Sequence, residues 1–336
     1  MNRLLISVAL GLSFAATATL SGTAVAQDRI TATHVFPANW VYSKSFLEFV
    51  RKANDAGKGV YQITVRGGPE AIGMMEQPNA VRDGVVDMVY SPCAFYAATV
   101  PECDAVSASS IDGPTARKSG AYDAIKEAHI RRMGVFYLGW VDSGIRFNIW
   151  SSKEPRFDAQ GNLDMKGVKM RGNPIYNAFF TSTLGAQVLN MPSTEVYTAL
   201  ERGTIDMTGW TEIGAMDASW DKFLKYRITP PFFSTDLGII VNVRKWNALS
   251  DKSREILQRV TIEHEIASVK TLQALRTQEF QELEKRGIKP VAMKPDAGKR
   301  FQEGARSASA ERMKDRMAKA GGRQEAERFI KLFAPN

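Results

Sequence analysis

The chain has 336 residues, 44% of them hydrophobic, with 44 Lys and Arg against 36 Asp and Glu for a formal net charge of +8. That length exceeds one ordinary core and suits two lobes. The basic excess gathers after residue 295, for example at Lys299, Arg300, Arg312 and Arg316, where it alternates with acids at helical spacing and without interleaved aromatics, so it reads as a solvated helix face and argues against a nucleic-acid partner.

The chain opens with a cationic Met1-Asn2-Arg3, an apolar run from Leu4 to Leu20 and Ala24-Val25-Ala26. This is the pattern of a cleavable signal peptide over residues 1–26, and the run is short for a membrane anchor. Removing Arg3 leaves a charge of 8 − 1 = +7. No later stretch is apolar enough to span a bilayer, so the mature chain is expected in the periplasm without direct membrane insertion.

Ile30–Val35 reads as a first strand, Phe36 to Trp40 as the loop after it, and Tyr42–Ala53 as a helix with Phe46, Phe49 and Val50 on one face. Val60–Val65 reads as a second strand, followed by a helix near Asn79–Asp83 and a third strand over Gly84–Val89. A second β-α-β-α-β series covers residues 167–210. The two series share the pattern A-[VL]-x-x-G-x-[VI]-D-M, at Ala80 to Met88 and at Ala199 to Met207. Two similar half-domains imply a cleft between them. The tails after the copies, Tyr90 to Tyr96 and Thr208 to Thr211, carry aromatics among small residues, as a pocket wall or ordinary core packing would.

In the second series Val168 and Met170 alternate with Lys169 and Arg171, placing Arg171 at a strand end before a helix capped by Asn173 and started by Pro174. Open α/β sheets bind ligands at such strand ends. Arg171 is therefore a binding candidate, the alternative being a surface arginine paired with an acid. Gly185 and Gly203 stand where helices end in a left-handed residue. Between the series, Gly134–Trp140 and Arg146–Trp150 form two strands, the second crossing between lobes with Arg146 at the cleft floor. A buried arginine there needs an anion from a side chain or a ligand. Thr235–Val243 is the expected return strand.

Residues 251–285 contain no Pro or Gly, and Ile256, Val260, Ile266, Val269, Leu272 and Leu275 supply an apolar stripe. At ~1.5 Å per residue this makes a helix of roughly 50 Å, long enough to cross both lobes. Ile288–Val291 reads as a short strand and Phe301–Leu332 as helical. The expected division is 27–147 with about 236–270 in lobe I, and 148–235 with about 271–336 in lobe II.

Cys93 and Cys103 lie ten apart in an oxidising compartment, either as a disulfide or as two buried thiols. The three histidines, His34, His129 and His264, have no metal-ligand spacing, and His264 reads as a surface residue of the long helix. No nucleophile elbow, phosphate loop or dinucleotide fingerprint occurs, and no nucleophile has a plausible base. The residues point to binding without turnover, and to no cofactor or metal.

Gly67-Gly68-Pro69, Gly84 to Met88, Gly144 to Asn148, Lys166 to Arg171, Met191 to Leu200 and Trp246 to Leu249 together resemble the solute receptors of TRAP transporters, the DctP family, over essentially the whole mature chain. The resemblance implies an α/β, two-lobed, periplasmic-binding-protein-like fold with a long helix spanning both lobes. It also implies a receptor that hands an organic acid to TRAP membrane permease subunits. It makes Arg171 the bidentate partner of the ligand carboxylate and Arg146 a second contact. Many relatives carry Gln-Glu-Asn after the G-x-x-D element. Here the segment is Met207-Thr208-Gly209-Trp210, which places an indole at the asparagine position and favours a flat or apolar part in the ligand. Trp40, Tyr90 and Asn148 complete the expected lining. A receptor for a sensor or another import system, and an exported carboxylate-processing enzyme, are the alternatives.

Overall fold

The computed structural model describes residues 27–319 and 322–335; the expected signal peptide lies outside them. Among the described residues no helix is long and apolar enough to cross a membrane.

The chain runs β1 (Asp28–His34), α1 (Val41–Ala56), β2 (Tyr61–Val65), α2 (Gln77–Asp83), β3 (Met88–Pro92), α3 (Cys103–Ser107), α4 (Gly113–Ser119), α5 (Ala121–Met133) and β4 (Val135–Trp140). It continues through β5 (Phe147–Ser151), the small pair β6 (Arg156–Phe157) and β7 (Leu163–Asp164), β8 (Lys169–Gly172), β9 (Gln187–Asn190), α6 (Val196–Glu201), β10 (Met207–Thr211), β11 (Tyr226–Thr229), β12 (Leu237–Asn242) and α7 (Val243–Ala248). It closes with α8 (Asp251–Lys285), β13 (Lys289–Ala292), α9 (Pro295–Lys319) and α10 (Arg323–Phe333).

Two mixed sheets result. The first has the order β2-β1-β3-β12-β4 and the second β13-β11-β5-β10-β8-β9. The chain thus leaves the first sheet after β4, enters the second as β5, and returns between β11 and β12. The crossings are tied to each other: Phe147 and Thr235 N–H donate to Phe233 and Ile145 carbonyls, at 2.8 and 2.9 Å, and Arg146 pairs with Ser234.

The repeated A-[VL]-x-x-G-x-[VI]-D-M pattern has one structural job in both lobes. Gly84 (φ +81°) and Gly203 (φ +63°) end their helices in the left-handed region, which favours glycine. The next residue folds back, Val85 N–H to Ala80 O and Thr204 N–H to Ala199 O, both at 2.9 Å. Asp87 then accepts from Thr31 N–H and Asp206 from Lys169 N–H, at 2.8 and 3.2 Å, so each aspartate fastens the adjacent parallel strand. The echo is therefore a helix-to-strand clasp. It also corrects the expected third strand: residues 84–87 form the closing turn, Val85 is 63% exposed, and pairing starts at Met88.

Helix α8 keeps its expected limits and spans both lobes. Its first half packs on α1, α4 and β4. Its second half meets the other lobe, where Glu279 accepts from Gly214 N–H at 2.8 Å and Arg286 pairs with Asp221 at 2.7 Å. Its buried stripe differs from the expected one. Ile256, Val260 and Leu272 face inward, but Ile266 and Leu275 are exposed, and the middle of the stripe is polar: His264, Glu265 and Ser268. These residues serve the segment between β4 and β5. Ser268 Oγ accepts from Asp142 N–H at 3.1 Å, Glu265 accepts from Trp140 N–H at 2.8 Å, and Ser45 bridges His264 and Asp142. His264 is thus a core residue and not a surface one.

The expected C-terminal helix is two helices. α10 turns back onto α3, α4 and α5, with Ser110 N–H donating to Phe333 O at 3.0 Å, so residues 323–333 sit with lobe I and not with lobe II as the sequence division had them. Cys93 and Cys103 are bonded as a disulfide. It lies beside His129, and with both sulfurs committed to each other that trio has no thiolate to offer a metal.

Candidate functional site

The lobes meet over a small cavity of about 30 Å³. Phe36, Tyr42, Pro92, Ala94 and Phe95 line it from lobe I, and Arg171, Asn173, Ile175, Ser193, Trp210 and Thr211 from lobe II. Phe147, Thr235, Asp236 and Leu237 come from the crossings. A wider groove outside it, bounded by Met74 and Met75 on one side and Asn190 and Met191 on the other, shares Phe95, Arg171 and Asn173 with the cavity. Arg171 therefore stands between mouth and chamber.

Arg171 is the penultimate residue of β8, a strand paired on both sides, with β10 and β9. Its side chain is 2% exposed. Nε donates to Met191 O and Nη1 to the Tyr176 hydroxyl, each at 3.2 Å. That hydroxyl in turn donates to Gly209 O at 2.9 Å. The Tyr176 ring lies so close that a Cβ at position 209 would sit 2.6 Å from it, so glycine at that position lets Tyr176 buttress the arginine. Among the described residues no carboxylate forms an ion pair with Arg171. A buried guanidinium with two neutral acceptors and unused N–H groups is short of an anion. The helix start after it is built as expected, with Asn173 Oδ1 accepting from Ile175 N–H at 3.0 Å.

Two more donors converge here. Tyr42 Oη and Trp210 Nε1 are buried without a hydrogen-bond partner, and both line the cavity. Burial holds the Tyr42 phenol well above its ordinary value, so it stays protonated and available to donate. Trp210 packs edge-on against Phe36, Trp40 and Trp220, at centroid distances of 6.0, 5.7 and 4.8 Å. This aromatic cluster closes the lobes together, as do Val41 N–H to Asp217 at 2.6 Å and Lys44 to Asp217 at 3.6 Å.

A carboxylate lines the same cavity. Asp236 is 2% exposed, and both hydrogen bonds it accepts from other residues land on Oδ2, from Ala94 N–H at 2.6 Å and Ser107 Oγ at 2.8 Å. Burial pushes its carboxyl up to about 6, against the pull of those two bonds.

Of the six expected ligand residues, Arg171 and Trp210 line the cavity. Arg146 sits at the crossing as expected, but Nη2 donates to Phe232 O at 3.1 Å, and burial lowers its basicity while Glu212 opposes. Successive strand residues face opposite ways, and it is Phe147 that enters the chamber. Asn148 shares the Arg146 face, away from the chamber, and is buried, donating to Ile228 O at 2.8 Å. Trp40 is behind Trp210, stacked on Phe36 at 5.9 Å. Tyr90 stacks on Phe46 at 5.1 Å and hydrogen-bonds Asp142. Sequence reasoning took Tyr42 only as the start of a helix, and Asp236 only as part of a return strand. A lone acid in Thr235-Asp236-Leu237-Gly238-Ile239-Ile240 was the available signal.

Residues 32–315 match the family described as bacterial extracellular solute-binding protein, family 7, or DctP. Over 253 residues the chain is 25% identical to a monocarboxylate 2-oxoacid-binding periplasmic protein of Nostoc, covering 72% of this chain and 67% of that protein. Over 185 residues it is 26% identical to the 2,3-diketo-L-gulonate-binding periplasmic protein YiaO of Escherichia coli, covering 53% and 55%. Its fold is similar to DctP7, a Bordetella pertussis extracytoplasmic solute receptor binding pyroglutamic acid (TM-score 0.75, 16% identity, 91% of this chain and 99% of that one). It is also similar to a TRAP periplasmic solute binding protein of Desulfovibrio salexigens with bound orotic acid (TM-score 0.78, 15% identity, 91% and 99%).

Proposed function

The chain belongs to the DctP family of bacterial extracellular solute-binding proteins, and on that premise we propose that it binds a small organic acid between its lobes and delivers it to a TRAP-type permease in the periplasm. Arg171 carries the reading. A carboxylate entering the chamber loses its water, and a fixed, already desolvated guanidinium with spare N–H groups offsets that cost. Tyr42 and Trp210, unpartnered in the described structure, can add hydrogen bonds to the same anion from opposite lobes. The acids named for the Bordetella and Desulfovibrio neighbours fit this chemistry. The chamber holds no nucleophile paired with a base, so the ligand leaves as it arrived.

The test is calorimetric titration of the mature protein with a panel of mono- and dicarboxylic acids, followed by recovery of the ligand. Saturable binding with ligand returned unchanged is the expected result. Product formation would make the protein an enzyme, and no binding across the panel would remove the organic-acid assignment. Capture of the permease subunits by the loaded receptor tests delivery.

A further inference from the structure

A chamber built only for a carboxylate needs donors. This one also contains a carboxylate of its own, and Asp236 has no cation beside it among the described ion pairs. Its Oδ2 is satisfied by Ala94 N–H and Ser107 Oγ, and the residue lines the same cavity as Arg171, Tyr42 and Trp210. Asp236 comes from the crossing just before β12, whereas Arg171 lies near the end of β8 in the other sheet. The cavity therefore sets the donors of Arg171, Tyr42 and Trp210 against a carboxylate, that of Asp236.

Resting on the carboxylate reading above, we infer that Asp236 is the specificity-determining residue of the cleft and selects acids that carry a hydrogen-bond donor, an N–H or O–H, in addition to the carboxylate. With such a ligand the Arg171 guanidinium meets the ligand anion and the Asp236 carboxylate accepts the ligand proton, so both buried charges are answered. An acid offering only acceptors, such as a 2-oxo acid, brings a second acceptor to Asp236. It must then set its acceptor against the lone pairs that Ala94 and Ser107 leave free on Asp236, or force a proton onto the carboxylate. Sites that hydrogen-bond a substrate N–H or O–H discriminate strongly against analogues lacking it, because the protein group is left unpaired. The ligand class is accordingly 2-hydroxy acids, 2-amino acids and lactam acids.

Matched pairs test this. Lactate against pyruvate, and pyroglutamate against its ring-oxygen lactone analogue, keep size and carboxylate while removing the donor. In wild type the donor-bearing member of any pair that binds should be tighter by roughly tenfold. Asp236→Asn keeps the side-chain volume, and its amide oxygen can still accept from Ala94 and Ser107, which turns an NH₂ toward the ligand. That variant should lose the preference or reverse it, with the melting temperature of the ligand-free protein showing that it folds. Equal affinities within a pair in wild type, or an unchanged ratio in Asp236→Asn, would overturn the inference while leaving the receptor reading in place. Failure of every acid to bind would overturn both. Should Asp236→Asn not fold, the wild-type ratios alone still decide.

Discussion

Arg171→Ala is the substitution whose effect can be worked from the geometry. In the closed cleft Arg171 is 2% exposed and bonded to two neutral oxygens at 3.2 Å. In the ligand-free protein the change removes two hydrogen bonds from a charged group, worth ~1.5–3 kcal/mol each. It also removes a buried, unpaired cation, whose desolvation cost runs the other way. The melting temperature should therefore move little. Binding is different, since a ligand carboxylate would enter the same desolvated chamber with no cation to meet it. Truncating one partner of a buried, hydrogen-bonded charge pair costs ~2–5 kcal/mol, or roughly 30- to several-thousand-fold in affinity. Arg171→Lys should recover only part of this, because an ammonium cannot keep Met191 and Tyr176 and present a planar fork as well. Calorimetry on the three proteins with one acid measures the difference. Binding of Arg171→Ala within threefold of wild type would place the carboxylate elsewhere and refute the assignment.

Trp210→Phe keeps an aromatic ring in the cluster but deletes the unpartnered Nε1–H, and should weaken binding by roughly tenfold if that donor meets the ligand at ~1–1.5 kcal/mol, read by the same titration. Ligand should reduce the radius of gyration in solution scattering, with the hinge at residues 144–147 and 233–236; an identical profile at saturation would argue against closure there. Replacing Cys93 and Cys103 with alanine opens a loop of separation 10 and should cost ~2–3 kcal/mol in denaturant unfolding. His129 is fully buried, bonded to Ile125 O at 2.7 Å and to the Tyr96 hydroxyl at 3.1 Å, and burial lowers its pKa to about 4. The unfolded chain takes up that proton first, so stability from this group is present above its ordinary value and lost as pH falls toward 4, by up to ~3 kcal/mol. Asp236, raised to about 6, acts in the opposite sense between about 4 and 6, so Asp236→Asn should steepen the acid loss and His129→Gln should flatten it, both followed by denaturant midpoint against pH.

The parts of this fold legible in the sequence are those set by local chemistry. Residues 251–285 lack helix breakers, and the helix forms over those residues. The crossings near Arg146 and Thr235 followed from strand length and order. Arg171 was legible because a strand end, a cap and a proline mark its place within a few residues. What escaped was decided by long-range partners. His264 belongs on an exposed helix by composition, yet it lies in the core because Asp142 and Ser45 come to it from elements more than a hundred residues away. Arg146 and Phe147 are adjacent, and a period of two fixes only that one faces the chamber. The partner strands decide which. Tyr42 and Asp236 become site residues only when the lobes meet, since Arg171 and Trp210, the groups they face, come from the other lobe.

That last point bears on why the cleft closes at all. Tyr42 and Asp236 reach the chamber from the first lobe and the crossing, Arg171 and Trp210 from the second lobe. In an open cleft water can serve each of them. Closing strips that water away, and Tyr42 and Trp210 are then left with donors that no protein atom accepts. An empty closed chamber therefore carries an electrostatic and hydrogen-bonding cost, set against the gain from packing Trp210 on Phe36 and Trp40. A ligand that answers Arg171 on one side and Asp236 on the other removes the cost without disturbing the packing. Its differential affinity for the closed state is what can shift the equilibrium between open and closed forms.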